Sequence, residues 1–210
     1  MKKIIRWTGN VLVLAGICLL AWQFFGTQKT ENVQNQQLEA FASLKATVAV
    51  QPEVSITGTT KQSVEKKKDV HMPQKEIGDL VGVLSIPQVD VKAPVTYGAT
   101  PAILDSGFGA IPGMDEPGIQ DGSYAIAGHQ SHVFGQFFNR LDELETGSRF
   151  DFETVDETQM YEVYETRIVL PEEVDGIAKE SGIAKLSLVT CYPQNSTKHR
   201  LIVMAKRVDK

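Results

Sequence analysis

Leu186-Ser187-Leu188-Val189-Thr190-Cys191 and Arg200-Leu201-Ile202-Val203-Met204-Ala205 are two apolar runs joined by eight residues, Tyr192 to His199. Short runs of this kind, rich in β-branched residues and bounded by polar connections, read as β-strands. Paired as antiparallel neighbours, they set Cys191 and Arg200 opposite each other at one end, and directly opposed residues share a face with Cβ atoms about 4.5–5.5 Å apart. Lys185–Cys191 and Arg200–Val208 are then the last two of seven such runs. The others are Leu80–Ile86, Val89–Val95, Tyr124–Gly128, Arg149–Asp156 and Gln159–Val169. Short strands separated by Gly and Pro turns predict an all-β domain, a closed β-barrel of about eight strands. Pro101–Leu104 and Val133–Leu141 are the expected short helices. In the second, Val133, Phe134, Phe137, Phe138 and Leu141 fall on one helical face.

The 210-residue chain has room for one such domain and an extension. Its hydrophobic content of 42% permits a packed core, and its net charge of −5 argues against nucleic acid as a partner. Four segments follow from the composition. Residues 1–6 are a basic N-terminus with Lys2, Lys3 and Arg6, and residues 7–27 carry no charge. About twenty apolar residues cross a bilayer core of about 30 Å, so residues 7–27 are expected to form a transmembrane anchor. The basic residues before it favour a cytoplasmic N-terminus and an exported remainder. A cleaved secretory signal is the rival reading; the apolar stretch is long for one and no Ala-x-Ala site follows it. Residues 28–76 are rich in Gln, Thr, Lys and Glu and read as a polar spacer with, at most, a short helix over Leu38–Lys45. Residues 77–210 hold the barrel.

Cys18 lies within the expected anchor, which leaves Cys191 without an intramolecular partner in the exported part. An odd cysteine in an exported chain points to an intermolecular bridge or a reactive thiol, and a buried inert cysteine is the competing reading. Nucleophilic cysteine chemistry needs a thiolate and a nearby acid or base. His129 follows the apolar run Ala125-Ile126-Ala127-Gly128 and so sits at a strand tip, although a lone histidine is more often a surface residue.

Taken together, these segments resemble the sortase family, most closely class A. Leu188, Thr190 and Cys191 match the strand that carries the sortase nucleophile. Arg200, entering an apolar strand after a polar loop, resembles the family's arginine, and Ala127-Gly128-His129 its histidine segment. Gly82-x-Leu84-x-Ile86-Pro87, with Pro94-Val95 and Gly98, resembles the opening of the sortase barrel. The likeness runs from about Gly78 to Lys210 with every segment in order.

The resemblance implies a cysteine transpeptidase of Gram-positive cell walls, a thiol endopeptidase in its first step. Cys191 would attack the Thr–Gly amide of a Leu-Pro-X-Thr-Gly sorting signal. His129 would protonate the leaving amine, and Arg200 would hold the substrate carbonyl or the oxyanion. A peptidoglycan amine would then resolve the thioester. The implied partners are surface proteins with a C-terminal sorting signal, a peptidoglycan precursor and the membrane, with the catalytic domain outside the cell. Thr190 beside the nucleophile, and Leu170, Val174 and Ile177 after the Gln159–Val169 run, are the candidate substrate-binding residues. No cofactor or metal is expected. Some class A sortases bind calcium through acidic residues near the histidine strand; here Asp115, Glu116 and Asp121 are present, but Met114, Pro117 and Ala178 are not acidic.

Other readings remain. A pilin-type or other-class sortase would share the same residues. An L,D-transpeptidase normally carries its cysteine after a Ser-His-Gly-type turn, not after a strand Thr190. A papain-like peptidase has its cysteine before its histidine, whereas His129 precedes Cys191 by 62 positions. A non-catalytic, anchored, wall-binding β-domain would require Cys191 to be inert.

Overall fold

A computed structural model of the chain describes residues 16–17, 32–46, 75–130, 137–173 and 175–209. Eight strands follow one another: β1 (Leu80–Ile86), β2 (Val91–Tyr97), β3 (Phe108–Ala110), β4 (Ser123–Ala127), β5 (Arg149–Glu153), β6 (Thr158–Val169), β7 (Lys185–Tyr192) and β8 (His199–Val208). They form a closed barrel in the order β1-β2-β3-β4-β7-β8-β6-β5. β1 closes it by pairing antiparallel with both β2 and β5. Closure removes the open strand edges that would otherwise invite pairing with other chains.

Side-chain alternation decides which residues fill the barrel and which face out. Tyr124 and Ile126 of β4, Leu186 and Leu188 of β7, and Leu201 and Val203 of β8 belong to the buried core. Their neighbours of opposite parity point outward: Ala125 and Ala127, Val189 and Cys191, Arg200 and Ile202. Part of this outer face is nonetheless covered, because the β6–β7 connection folds back over it. Ser123 Oγ donates to the Ile177 carbonyl at 2.8 Å and Ser187 Oγ to the Gly176 carbonyl at 3.1 Å. Lys185 Nζ donates to the Ala178 carbonyl at 3.1 Å. Gly176 is needed at this contact, since a Cβ there would lie 2.7 Å from Ile202 Cδ1.

Two helices flank the barrel. α1 spans residues 32–46, and α2 is the single turn Pro101–Leu104, as expected. α1 is longer than the short helix anticipated over Leu38–Lys45, and it packs on the barrel. Phe41 is 3% exposed and lines, with Leu38, Val83 of β1 and Glu153 of β5, a cleft between helix and barrel. Lys45 pairs with Glu153, and Gln34 Nε2 donates to the Ser106 carbonyl at 3.2 Å. Gln34, Leu38, Phe41 and Lys45 recur at helical spacing, so one face of the helix is turned to the barrel.

The second expected helix is not continuous. Residues 133–136 lie outside the described residues, Phe137–Arg140 form a turn, and Leu141–Glu143 a 3-10 turn. Phe137 has φ = 52°, a left-handed conformation that an α-helix of L-residues excludes. Phe138 and Leu141 of the expected face are buried all the same, with Phe138 stacked on Phe108 at 4.3 Å between ring centroids. Among the described residues no helix is long and apolar enough to cross a membrane. Apart from Gly16 and Ile17, the expected anchor at 7–27 lies outside them.

Candidate active site

Three neighbouring strands present the three residues singled out in the sequence. β7 and β8 pair antiparallel with Cys191 opposite Arg200 and Tyr192 opposite His199. β4 runs parallel to β7, with Ala127 beside Val189. The ladder continues one step past β4, where the Gly128 N–H donates to the Val189 carbonyl at 3.0 Å. Followed two residues beyond Ala127, the same register sets His129 beside Cys191. Adjacent strands lie about 4.8 Å apart, so His129, Cys191 and Arg200 form one row across three strands. All three have the outward parity, at the edge of the area covered by the β6–β7 connection.

The surroundings of each side chain differ. Cys191 is a free thiol, half-buried. His129 is 47% exposed, with Nε2 3.2 Å from Asp105 Oδ1. Phe137 stands edge-on to its ring, 6.4 Å between centroids. Beneath it, Gly128 leaves room for aromatic packing, since a Cβ there would lie 2.6 Å from the Phe108 ring and 2.8 Å from that of Phe138. Arg200 Nη1 donates to the Thr197 and His199 carbonyls, at 3.0 Å each. Its backbone is therefore opposite Cys191, as expected, while its guanidinium is held by the β7–β8 loop. A thiol, an imidazole and a guanidinium in one row can serve as nucleophile, proton carrier and oxyanion donor of an acyl transfer.

Residues 84–208 match the family model of the sortase domain, more than half of the chain. The chain belongs to the sortase family. Sortase D of Bacillus subtilis is 26% identical over 99% of this chain and all of its own length. Sortase A from Corynebacterium diphtheriae superposes with a TM-score of 0.60 at 30% identity, covering 63% of this chain and 62% of its own. Sortase C-1 from Actinomyces oris gives 0.60 at 30% identity, covering 63% and 76%. This sortase is thus a transpeptidase of the cell wall, and its eight-stranded barrel is the sortase fold.

The candidate substrate residues separate in this frame. Thr190 has inward parity, is 2% exposed and donates Oγ1 to the Gly128 carbonyl at 2.9 Å. It cannot touch a substrate lying on the outer face; it joins the strand of the nucleophile to the segment of the histidine. Leu170 is exposed at the end of β6, with its N–H bonded to Glu173 Oε2 at 2.8 Å. Ile177 is half-buried in the 3-10 turn Asp175–Ile177, against β4 through its carbonyl. Val174 lies outside the described residues.

The acidic residues considered for calcium are each engaged. Asp115 Oδ1 lies 2.7 Å from Lys179 Nζ, and Oδ2 accepts the Ser123 N–H at 2.9 Å. The Lys179 hydrogen bond, helped by that N–H, holds the Asp115 carboxyl below its ordinary value. Glu116 pairs with Lys75, and Asp121 Oδ1 accepts the Gly182 N–H at 2.6 Å. Among the described residues no group of three or more His, Cys, Asp or Glu side chains could hold a metal ion.

Asp105 had no place in the sequence reading. Its approach to His129 depends on β3, whose three residues Phe108-Gly109-Ala110 are too short and too glycine-rich to register as a strand.

Proposed function

We propose that this sortase cleaves a Leu-Pro-X-Thr-Gly sorting signal between Thr and Gly and transfers the protein to a peptidoglycan amine. The observation that carries the reading is the row of His129, Cys191 and Arg200 on one outward face, next to the exposed end of β6. Cys191 Sγ bonds to the Thr carbonyl carbon and the Thr–Gly C–N bond breaks. The departing glycine nitrogen takes a proton from His129, leaving a thioester on Cys191. An incoming amine then attacks the thioester, the C–S bond breaks, His129 accepts the amine's proton, and the Cys191 thiolate beside a protonated His129 is regenerated. Arg200 donates to the oxygen that becomes anionic in each tetrahedral intermediate. Leu170, Val174 and Ile177 supply apolar contacts for the Leu and Pro of the signal. Residues 7–27 anchor the enzyme, with the barrel outside the cell.

Incubation with a Leu-Pro-X-Thr-Gly peptide and intact-mass analysis tests this directly. The expected adduct is the peptide up to Thr, on Cys191, absent in Cys191→Ala. An acyl adduct on another residue would overturn the assignment of the nucleophile.

A second reading concerns class. The sequence most closely resembles class A, whereas a relative that matches 99% of this chain is named Sortase D. That relationship favours class D as the alternative. A peptide panel varied at X and at the residue after Thr distinguishes the two by which signal is turned over fastest.

A further inference from the structure

The turn that joins α2 to β3 sets a carboxylate against the candidate proton carrier. β3 pairs antiparallel with β4, with Gly109 opposite Ala127. Followed two residues further, the register brings Gly107 opposite His129, and Asp105 lies just before it where the chain leaves α2. The turn is tightly held. The Asp105 N–H donates to the Pro101 carbonyl at 2.9 Å and the Gly107 N–H to the Ile103 carbonyl at 3.0 Å. Ser106 Oγ donates to the Ile103 carbonyl at 2.9 Å, and the Ser106 carbonyl accepts from Gln34 of α1 at 3.2 Å. Asp105 is therefore delivered to His129 by a fixed backbone, and its Oδ1 meets Nε2 at 3.2 Å.

We infer that Asp105 is a positioning residue for His129: its carboxylate accepts the Nε2–H and leaves Nδ1 to exchange protons with substrate. The inference rests on His129 being the proton carrier of the proposed reaction. A neutral imidazole has one donor and one acceptor nitrogen, and the bond made by one nitrogen decides the role of the other. With Nε2–H directed at Asp105, a proton leaves Nδ1 for the glycine nitrogen and returns to Nδ1 from the incoming amine. Asp105 keeps the ring in one orientation, as the aspartate of a Ser-His-Asp triad does. The site is then a four-residue constellation carried by four different segments, the α2–β3 turn, the segment after β4, β7 and β8.

Imidazole ¹⁵N spectra of the substrate-free enzyme, recorded where the ring is neutral, test the orientation without relying on turnover. The expected spectrum shows His129 protonated at Nε2, and Asp105→Ala reduces that tautomer. In parallel, kcat with the signal peptide falls in Asp105→Ala by up to about fivefold, the range of an exposed pair, with KM unchanged. Asp105→Asn, which keeps an Oδ1 acceptor, recovers both the tautomer and most of kcat. The side chain is 73% exposed, so the variants retain the fold. A wild-type ring protonated at Nδ1 overturns the inference. So does an Asp105→Ala enzyme in which either the tautomer or kcat is unchanged. Failure of the nucleophile assignment is read separately, as an acyl adduct away from Cys191, and leaves the spectrum unaffected.

Discussion

Thr190 Oγ1 donates to the Gly128 carbonyl across 2.9 Å inside the barrel, which ties the residue before the nucleophile to the residue before the histidine. β4 has already ended at Ala127, so beyond the Gly128 N–H bond this hydroxyl is what keeps the two segments in step. The catalytic row thus depends on a side chain that faces away from it.

Thr190→Val keeps the shape and removes the donor, leaving a buried carbonyl unpaired at a cost of about 1–3 kcal/mol. The expected outcome is a lower midpoint in urea together with a fall in kcat, while Thr190→Ser retains both. A Val variant with unchanged stability and kcat would show that the bond does not hold the segments in place.

The barrel was legible because strand signals are local. β1 coincides with the run expected at Leu80–Ile86, and β5 to β8 begin within a residue of their expected starts. The pairing of Cys191 with Arg200 followed from two runs and a loop of countable length. What escaped were features decided by tertiary contact. The three residues of β3 take their conformation from β2 and β4, on which they form a ladder. The Phe137 turn breaks a helical pattern that its own sequence supports, and Phe138 and Leu141 serve the core from a different backbone. Thr190 was assigned to substrate by its place beside Cys191, but strand parity turns it to the interior. Neighbours in sequence on a strand are on opposite faces, and that alone separates their roles.

α1 adds stability that a polar spacer would not. Full burial of a Phe side chain contributes about 1.5–3 kcal/mol, and Phe41 is covered by the outer face of β1. A fragment from residue 76 is expected to melt cooperatively, since the barrel core lies wholly within it, but at a lower temperature than the same fragment with residues 32–75 attached. Phe41→Ala in the longer form should reproduce most of that difference, with signal-peptide cleavage retained. Equal melting temperatures for all three would mean that α1 does not stay docked in solution.

Calcium is expected to leave activity unchanged. The cation needs six to eight oxygen ligands, and the carboxylates of Asp115, Glu116 and Asp121 are already bonded to Lys179, Lys75 and the Gly182 N–H. The folded Asp115 carboxyl titrates below its ordinary value of 3.8. Its stabilising contribution is therefore complete above that value and disappears as the pH falls through the folded one. Turnover measured in millimolar calcium and in chelator should agree at neutral pH. A several-fold stimulation would reveal a site formed by Asp115, Glu116 or Asp121 after Lys179 moves away.

Arg200 tests the strand argument most sharply. Its Cα is paired with that of Cys191, yet Nη1 is bonded to the carbonyls of Thr197 and His199. Two carbonyl acceptors on one nitrogen orient the guanidinium plane, and among the described residues Nε and Nη2 have no bond that would compete with a substrate oxygen. The loop therefore acts as a bracket for the donor. Losing a single oxyanion donor commonly costs about 10²–10³ in rate, so Arg200→Ala should lower kcat by that order. Arg200→Lys keeps the charge but has no planar fork to bond loop and substrate at once, so it should recover only part of the activity. Both variants are expected to fold, because the side chain has outward parity and the interior next to it is filled by Leu201 and Val203. Near-normal turnover in Arg200→Ala, measured on a quenched signal peptide, would remove Arg200 from the site and leave the oxyanion to another donor.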